Sequence, residues 1–340
     1  MWPDEYDPAR DNPLWAADPL GTWRDCPSYQ HGIYTDTGIQ PCAFNYMFMA
    51  LYDQIPCEYD RTWKTLIFDI MGTKRRGAEA SDKAMQSKRR NFYGAMVFIK
   101  KYPTYDEMKG ALGLSRALFC EQIRPTLYCI ARHIDFMDFN LRLWDWNHSP
   151  HFQERVLTVV DGFPVKVSRS ENDFIRRLTR SGKYKDFVVK GDILICLATG
   201  CPVDFAWTHQ GVMNDARLWR MNMRRKSRLY AWEYVLGDKA YIGCPECVCE
   251  YKGVLTPAQR RWNVLLQHYR ARVEHTIAQF NTRKAISSRW KGSFSLLSAI
   301  MRIVVHTIAL QERMLQPKYP AYGPWAAAPP HVVAAFPHPL

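Results

Sequence analysis

Acidic residues are scarce over most of this chain. Beyond residue 60, 23 Asp and Glu face 44 Lys and Arg, a net charge of +21. So large a surplus of one sign points to a polyanionic partner, most simply nucleic acid. Only the first 60 residues reverse the balance, with ten acids against Arg10 and Arg24. The opening "MWPDEYDPAR" lacks the apolar stretch of a secretory signal, so no signal peptide is expected. A run that would cross a bilayer is missing too. "LLSAIMRIVVHTIAL" is short, is broken by Arg302 and His306, and reads as a buried helix, so no membrane partner is expected. Internal repeats are absent, which excludes solenoids. The ten cysteines are irregularly spaced and come without a signal, which fits reduced thiols inside the cell better than a disulfide framework.

What is present is a globular composition, 47% hydrophobic and 14% aromatic, on a chain with room for one large or two smaller domains. Four regions separate by pattern. Residues 1–60 form an acidic arm rich in Pro, Asp and aromatics, and residues 316–340 a Pro/Ala-rich tail expected to be disordered. Residues 61–150 are helical and helix-turn-helix-like. There Thr104 caps a short helix with Glu107 closing a capping box, and Gly113 supplies a turn. Ser115 caps a second helix that directs Leu118, Ile123, Leu127 and Ile130 to a core, with Pro125 interrupting it. The basic flanks "TKRRG" and "SKRRN" make Arg89 and Arg90 candidate phosphate contacts, with Arg116 on the second helix.

Residues 151–315 change to strands. "RVLTVV" runs into Asp161, "DFVVKGDILICLA" and "PVDFAW" bracket the turn "TGCP", and "YAWEYVL" leads into "GDKAY". Between them "GVMNDARLWRMN" opens a helix at Asn214 and Asp215. The strongest helix pattern is "LTPAQRRWNVLLQHYRARVEHTIAQFNTRK". Thr256 is its cap, Pro257 takes the first helical position and Gln259 completes a capping box. Trp262, Leu266, Tyr269, Val273, Ile277 and Phe280 recur as a buried stripe.

The acids of this region stand next to apolar elements. Asp161 and Asp238 follow strands, Asp215 opens a helix, and Glu274 follows Val273 at the margin of the stripe. Each alone can be a turn or helix cap, or, for Glu274, a surface partner of Arg270 one turn earlier. Gathered at one sheet edge they would repel and raise each other's pKa unless a divalent cation neutralised them. Ligands that are all oxygen suit Mg2+ or Mn2+.

Beyond the single acids, "VVDG", "SGKYKDFVVKGDILICLATGCPVDFAW" running into "GVMNDARLW", "LGDKAY", and "LTPAQRRWN" followed by "YRARVEHTIAQF" have a familiar order and spacing. Together they resemble the DDE transposases of the PIF/Harbinger type and their domesticated nuclease relatives, over residues 100–310. The resemblance implies an α/β fold, an RNase H-like mixed sheet flanked by helices and preceded by the helical region. It implies a first Asp on the first strand, a second just after the fourth, and a Glu on a following helix. Asp161, Asp238 and Glu274 match this catalytic triad and its metal site. Asp215 matches the His-Asp acid that relatives also assign to the metal, although here Asn214 precedes it and the loop reads "HQGVMND" instead of Pro-Gly-Ser before His-Asp. Arg270 is expected to orient Glu274 or touch a phosphate, and Arg272 to contact DNA.

On this reading Asp161 sits at a strand end, where the strand holds a metal ligand rigidly, and two metal ions roughly 3.5–4 Å apart serve in-line displacement at phosphorus. The implied activity is that of a transposase-type DNA endonuclease and strand transferase, and the alternative is a domesticated DNA-binding or chromatin-associated protein without nuclease activity. The implied partners are duplex DNA at element ends and target, a separate Myb-like DNA-binding protein and further copies of the chain, all in the nucleus. A rival chemistry lies in "GCPECVCEYKG". Cys244 and Cys247 have the spacing of half a zinc site, with Cys249 close by, His268 able to approach, and no second pair.

Overall fold

The computed structural model describes residues 33–56, 74–112, 115–143, 155–208 and 210–315. The start of the acidic arm, the Pro/Ala-rich tail, the Gly113 turn and His209 lie outside the described residues. Two compact units divide the chain: residues 1–135 with 282–285 and 292–307, and residues 136–281 with 286–291 and 308–340.

In the first unit, helix α1 (Pro41–Leu51) starts with a proline at its first position, where the missing N–H costs nothing. Its Phe44 and Phe48 pack against Phe92 of α2 (Lys74–Lys101), with ring centroids 5.0 and 5.6 Å apart. Residues 33–56 therefore depart from the expected acidic arm. The net acidity of the first 60 residues hides the stretch "AFNYMFMAL", which contains no charge and buries Ala43, Met47 and Leu51. Helix α3 (Tyr105–Leu112) has the expected capping box. Glu107 N donates to Thr104 Oγ1 at 3.3 Å, and Thr104 N donates to Glu107 Oε2 at 2.6 Å. A helical turn (Arg116–Leu118) and a π-helical turn (Phe119–Ile123) then lead into α4 (Arg124–His133). The wider π turn lets the helix pass Pro125, which has no N–H to donate, without stopping. Ile123, Leu127 and Ile130 are buried, as the periodicity predicts.

The second unit is built on a mixed sheet. Its strands are β1 (Val156–Lys166), β2 (Arg180–Ser181), β3 (Asp186–Cys196), β4 (Pro202–Thr208), β5 (Tyr234–Leu236) and β6 (Cys247–Val248). Helix α5 (Asp173–Thr179) lies between β1 and β2. Across the sheet the order is β4-β3-β1-β5-β6, with β2 pairing the start of β3. The β1/β3 and β3/β4 pairs are antiparallel, whereas β1/β5 and β5/β6 are parallel. That order and those directions are RNase H-like. On one face Val160, Leu194, Cys196, Val203 and Val235 pack with Trp219 of α6 (Asp215–Met221). On the other, Phe163 meets Phe280 of the helix Pro257–Asn281 at 5.1 Å.

Helix α7 (Met223–Lys226) follows α6, and α8 (Pro257–Asn281) follows β6. In α8, Thr256 N donates to Gln259 Oε1 at 3.0 Å and Gln259 N to Thr256 Oγ1 at 3.3 Å, closing the expected box. Its stripe is buried at Leu266, Val273 and Phe280 and half-buried at Trp262, Tyr269 and Ile277. Two more helices follow, α9 (Lys284–Ser287) and α10 (Phe294–Leu315). At 22 residues α10 outruns the apolar stretch seen in the sequence and is long enough to cross a bilayer. Length therefore does not exclude a membrane span as the sequence suggested, but 72% of its most apolar window is buried within the protein.

Two strand expectations need correcting. Asp161 lies in the middle of β1, not at its end, because β3 continues to pair with β1 as far as Lys166↔Val188. What ends is the parallel partner, whose last pair is Val159↔Leu236. The stretch "YAWEYVL" is extended only over Tyr234–Leu236, since Glu233 N donates back to Tyr230 O in a turn.

Candidate active site

Register decides which acids meet. Asp161 lies two residues past Val159 and Asp238 two past Leu236, so the last parallel pair sets these carboxylates at neighbouring positions where β5 leaves the sheet. Asp238 then caps a 3-10 turn, its Oδ1 accepting from Ala240 N at 2.8 Å. Asp161 Oδ1 accepts from Gly162 N at 2.7 Å. Burial pushes the Asp161 carboxyl up to about 6 against the pull of Arg270, with the charges of Asp238 and Asp215 adding to the rise.

Asp215 reaches the same region from the other side. Asn214 caps α6 by accepting from Arg217 N at 2.8 Å, which fixes Asp215 as the first helical residue. A Cβ on Gly162 would lie 2.9 Å from Asp215 Oδ1, so a side chain after Asp161 would have to displace this carboxylate. Two lysines face it: Lys190 Nζ, buried, at 3.4 Å and Lys183 Nζ at 3.7 Å.

Glu274 is held less firmly. It follows a buried stripe residue but turns outward, its side chain 63% exposed, with Arg270 Nη2 at 3.9 Å. Arg270 is the link, because the same Nη2 lies 3.7 Å from Asp161 Oδ2 while Nη1 donates to buried Glu250 at 3.0 Å. Lys239 Nζ also pairs with Glu250, at 3.1 Å. Thus Asp161, Asp238 and Asp215 interact through space, and Glu274 joins them through a guanidinium. Among the described residues, no three His, Cys, Asp or Glu side chains form a group that could hold a metal ion.

The other candidates are more dispersed. Arg272 donates to Leu197 O and, at 2.8 Å, to Ala198 O, so the guanidinium expected at DNA closes the turn after β3. In the first unit Arg90 donates to Gln122 at 2.9 Å, Arg116 lies 5.3 Å from the Tyr105 ring centre, and Arg89 is half-buried. Cys244, Cys247 and Cys249 are free thiols. Burial raises all three pKa values, that of Cys249 to about 11, which works against the thiolates zinc requires. The His268 ring contacts Tyr269 at 5.7 Å.

Sequence reasoning missed Lys183, Lys190 and Glu250. Lys190 did leave a signal, as the single charge inside "FVVKG", but period-2 alternation reads it as facing solvent.

The raised pKa of Asp161 has a cost in stability. Between pH values of about 4 and 6 the folded protein keeps a proton that the unfolded chain releases, so this group's contribution falls as pH rises through that window. In EDTA at neutral pH, Asp161→Asn should therefore stabilise the protein by roughly 3 kcal/mol, a gain that vanishes below about pH 4. Melting curves across pH check this, and a less stable variant at neutral pH would contradict it.

Residues 160–311 match the sequence model of the DDE superfamily endonucleases. No curated protein and no solved structure matches the chain. The match starts one residue before Asp161 and takes in Asp215, Asp238 and Glu274, so the chain carries a DDE-superfamily nuclease domain over residues 160–311.

Proposed function

We propose that this protein is a transposase-type DNA endonuclease and strand transferase of the PIF/Harbinger kind. It acts in the nucleus on duplex DNA, as an oligomer of this chain, with Mg2+ or Mn2+ and a Myb-like DNA-binding partner. The observation that carries the reading is the register that sets Asp161 beside Asp238, within residues that match a nuclease superfamily. DDE nucleases use divalent metal ions, and the donors fit one in kind: they are all oxygen, and their mutual repulsion is what a hard cation relieves.

Asp161 and Asp238 would hold the ion, with Glu274 completing the set. Asp215 is the weakest ligand candidate because Lys183 and Lys190 already balance its charge. When bound, the ion activates the attacking oxygen and stabilises the leaving one. Arg270, anchored by Glu250, orients Asp161 and Glu274 from between them. In the first reaction a water oxygen attacks phosphorus and the bond to the 3' oxygen breaks, leaving a 3'-hydroxyl. In the second that hydroxyl attacks a phosphorus of target DNA, and the displaced 3' oxygen takes up a proton.

The test is a Mn2+ titration followed by calorimetry. Wild type should bind, Asp161→Asn and Glu274→Gln should bind at least about tenfold more weakly, and Asp215→Asn should change less. Equal affinity in wild type, Asp161→Asn and Glu274→Gln would remove the shared site.

A further inference from the structure

We propose that residues 166–185, which connect β1 to β3 through α5 and β2, form the surface that guides a DNA strand to the acid site. The inference rests on the nuclease reading and adds to it a specific binding face. Seven Lys and Arg stand here against two acids, a net +5 in 20 residues of a chain whose net charge is +13. Most of this charge is unspent. Lys166, Arg169, Arg177, Arg180 and Lys185 are exposed, Lys183 is exposed but faces Asp215 at 3.7 Å, and Asp173 is paired with Arg176 within the same helix.

The basic stretch Arg217–Arg228 makes a useful contrast. Its Arg225 is buried between Asp192 and Asp204, Lys226 pairs with Glu246 at 2.7 Å, and Arg228 lies 3.9 Å from Asp204. Half of that charge is internally compensated, and Arg217, Arg220 and Arg224 are the exposed remainder. The 166–185 charge is available to phosphates.

An aromatic accompanies it. Phe174 is 71% exposed and lies one helical turn before Arg177, on the same face of α5. An exposed ring next to a guanidinium offers a base somewhere to stack while the phosphate is held. From there the surface leads to the acids. Lys183, at the turn between β2 and β3, approaches Asp215, which lies over Gly162 beside Asp161. The half-buried Tyr184 next to it senses the charges of Asp215 and Asp161.

The mount is rigid. A Cβ on Gly211 would fall 2.3 Å from Val188 O and 2.4 Å from Thr179 O, so the loop before Asp215 is pressed onto the end of α5. Val212 N also donates to Leu178 O at 3.4 Å. A strand held on α5 is thereby held at a fixed position relative to Asp215.

The test uses the full chain in Ca2+, with fluorescence anisotropy on a duplex bearing a single-stranded 3' overhang, at several salt concentrations. Wild type should bind with a steep inverse salt dependence. The triple variant Arg177→Gln/Arg180→Gln/Lys185→Gln should lose about 2 to 3 units of log–log salt slope and at least about tenfold in affinity near 100 mM salt. Phe174→Ala should weaken binding to the overhang about fivefold or more and leave the slope unchanged. The count-matched Arg217→Gln/Arg220→Gln/Arg224→Gln variant should lose less than the first triple. All the substituted residues are exposed, so an unchanged melting temperature is the control for folding. Equal losses in the two triples, or a wild-type slope in the first, overturn the proposal while leaving the nuclease reading in place. If wild type fails to bind DNA at all, the nuclease reading itself fails.

Discussion

Asp238→Asn should abolish metal-dependent nicking and leave DNA binding intact. The exchange keeps the side chain's size, and the amide oxygen can still accept from Ala240 N, so the 3-10 turn after β5 should survive. What disappears is one negative charge at the position the sheet register sets beside Asp161. A carboxylate that holds a catalytic cation cannot be replaced by a neutral amide, and the nicking rate should fall by roughly three orders of magnitude or more. DNA affinity should hold or rise slightly, because the site becomes less repulsive to phosphate. The substrate must carry the element's own ends, and the partner protein must be present. If wild type and Asp238→Asn are then equally inert in Mn2+, the nuclease reading gives way to the domesticated DNA-binding reading.

Features encoded over a few residues were legible in the sequence. The capping boxes Thr104/Glu107 and Thr256/Gln259 each involve residues three apart, and both form as expected. Asp161 and Asp238 stood out as candidates because each follows an apolar run in the sequence. The course of β1 beyond Asp161 was hidden by Gly162 and Pro164, which read locally as a strand end. In the sheet neither breaks the strand. Gly162 makes room for Asp215, and Pro164 lies where β1 has lost its β5 neighbour, so that a missing N–H costs little. The pairs that organise the site were not legible at all. Lys190 and Asp215 are 25 residues apart and Arg270 and Glu250 are 20 apart, separations on which no periodicity reports. The outward turn of Glu274 is a matter of angle on α8: the buried positions Leu266, Val273 and Phe280 leave the residue after Val273 on the flank of the stripe.

Glu233→Ala should destabilise the second unit by about 3–5 kcal/mol, lowering its melting temperature by roughly 10 °C. The Arg142 and Glu233 side chains are 1% and 0% exposed, and they pair bidentately, Nε to Oε1 at 2.7 Å and Nη2 to Oε2 at 3.0 Å. Arg142 also donates to Phe139 O at 2.8 Å and Arg228 O at 2.9 Å, and stacks 3.9 Å from the Phe139 ring centre. Removing Glu233 leaves a guanidinium that can neither leave nor find another anion, and the cost is that of an uncompensated buried charge, beyond the loss of one contact. Because Glu233 immediately precedes β5, the damage should reach the register that places Asp238, and metal binding should weaken along with stability. The double variant Arg142→Met/Glu233→Leu separates charge from packing. With both charges gone and the volume kept, stability should return to within about 1–2 kcal/mol of wild type. A double variant as unstable as Glu233→Ala would mean that the hydrogen bonds of Arg142 to the chain, and not its charge balance, hold the entry to β5. A wild-type melting temperature in Glu233→Ala would mean that the pair holds nothing.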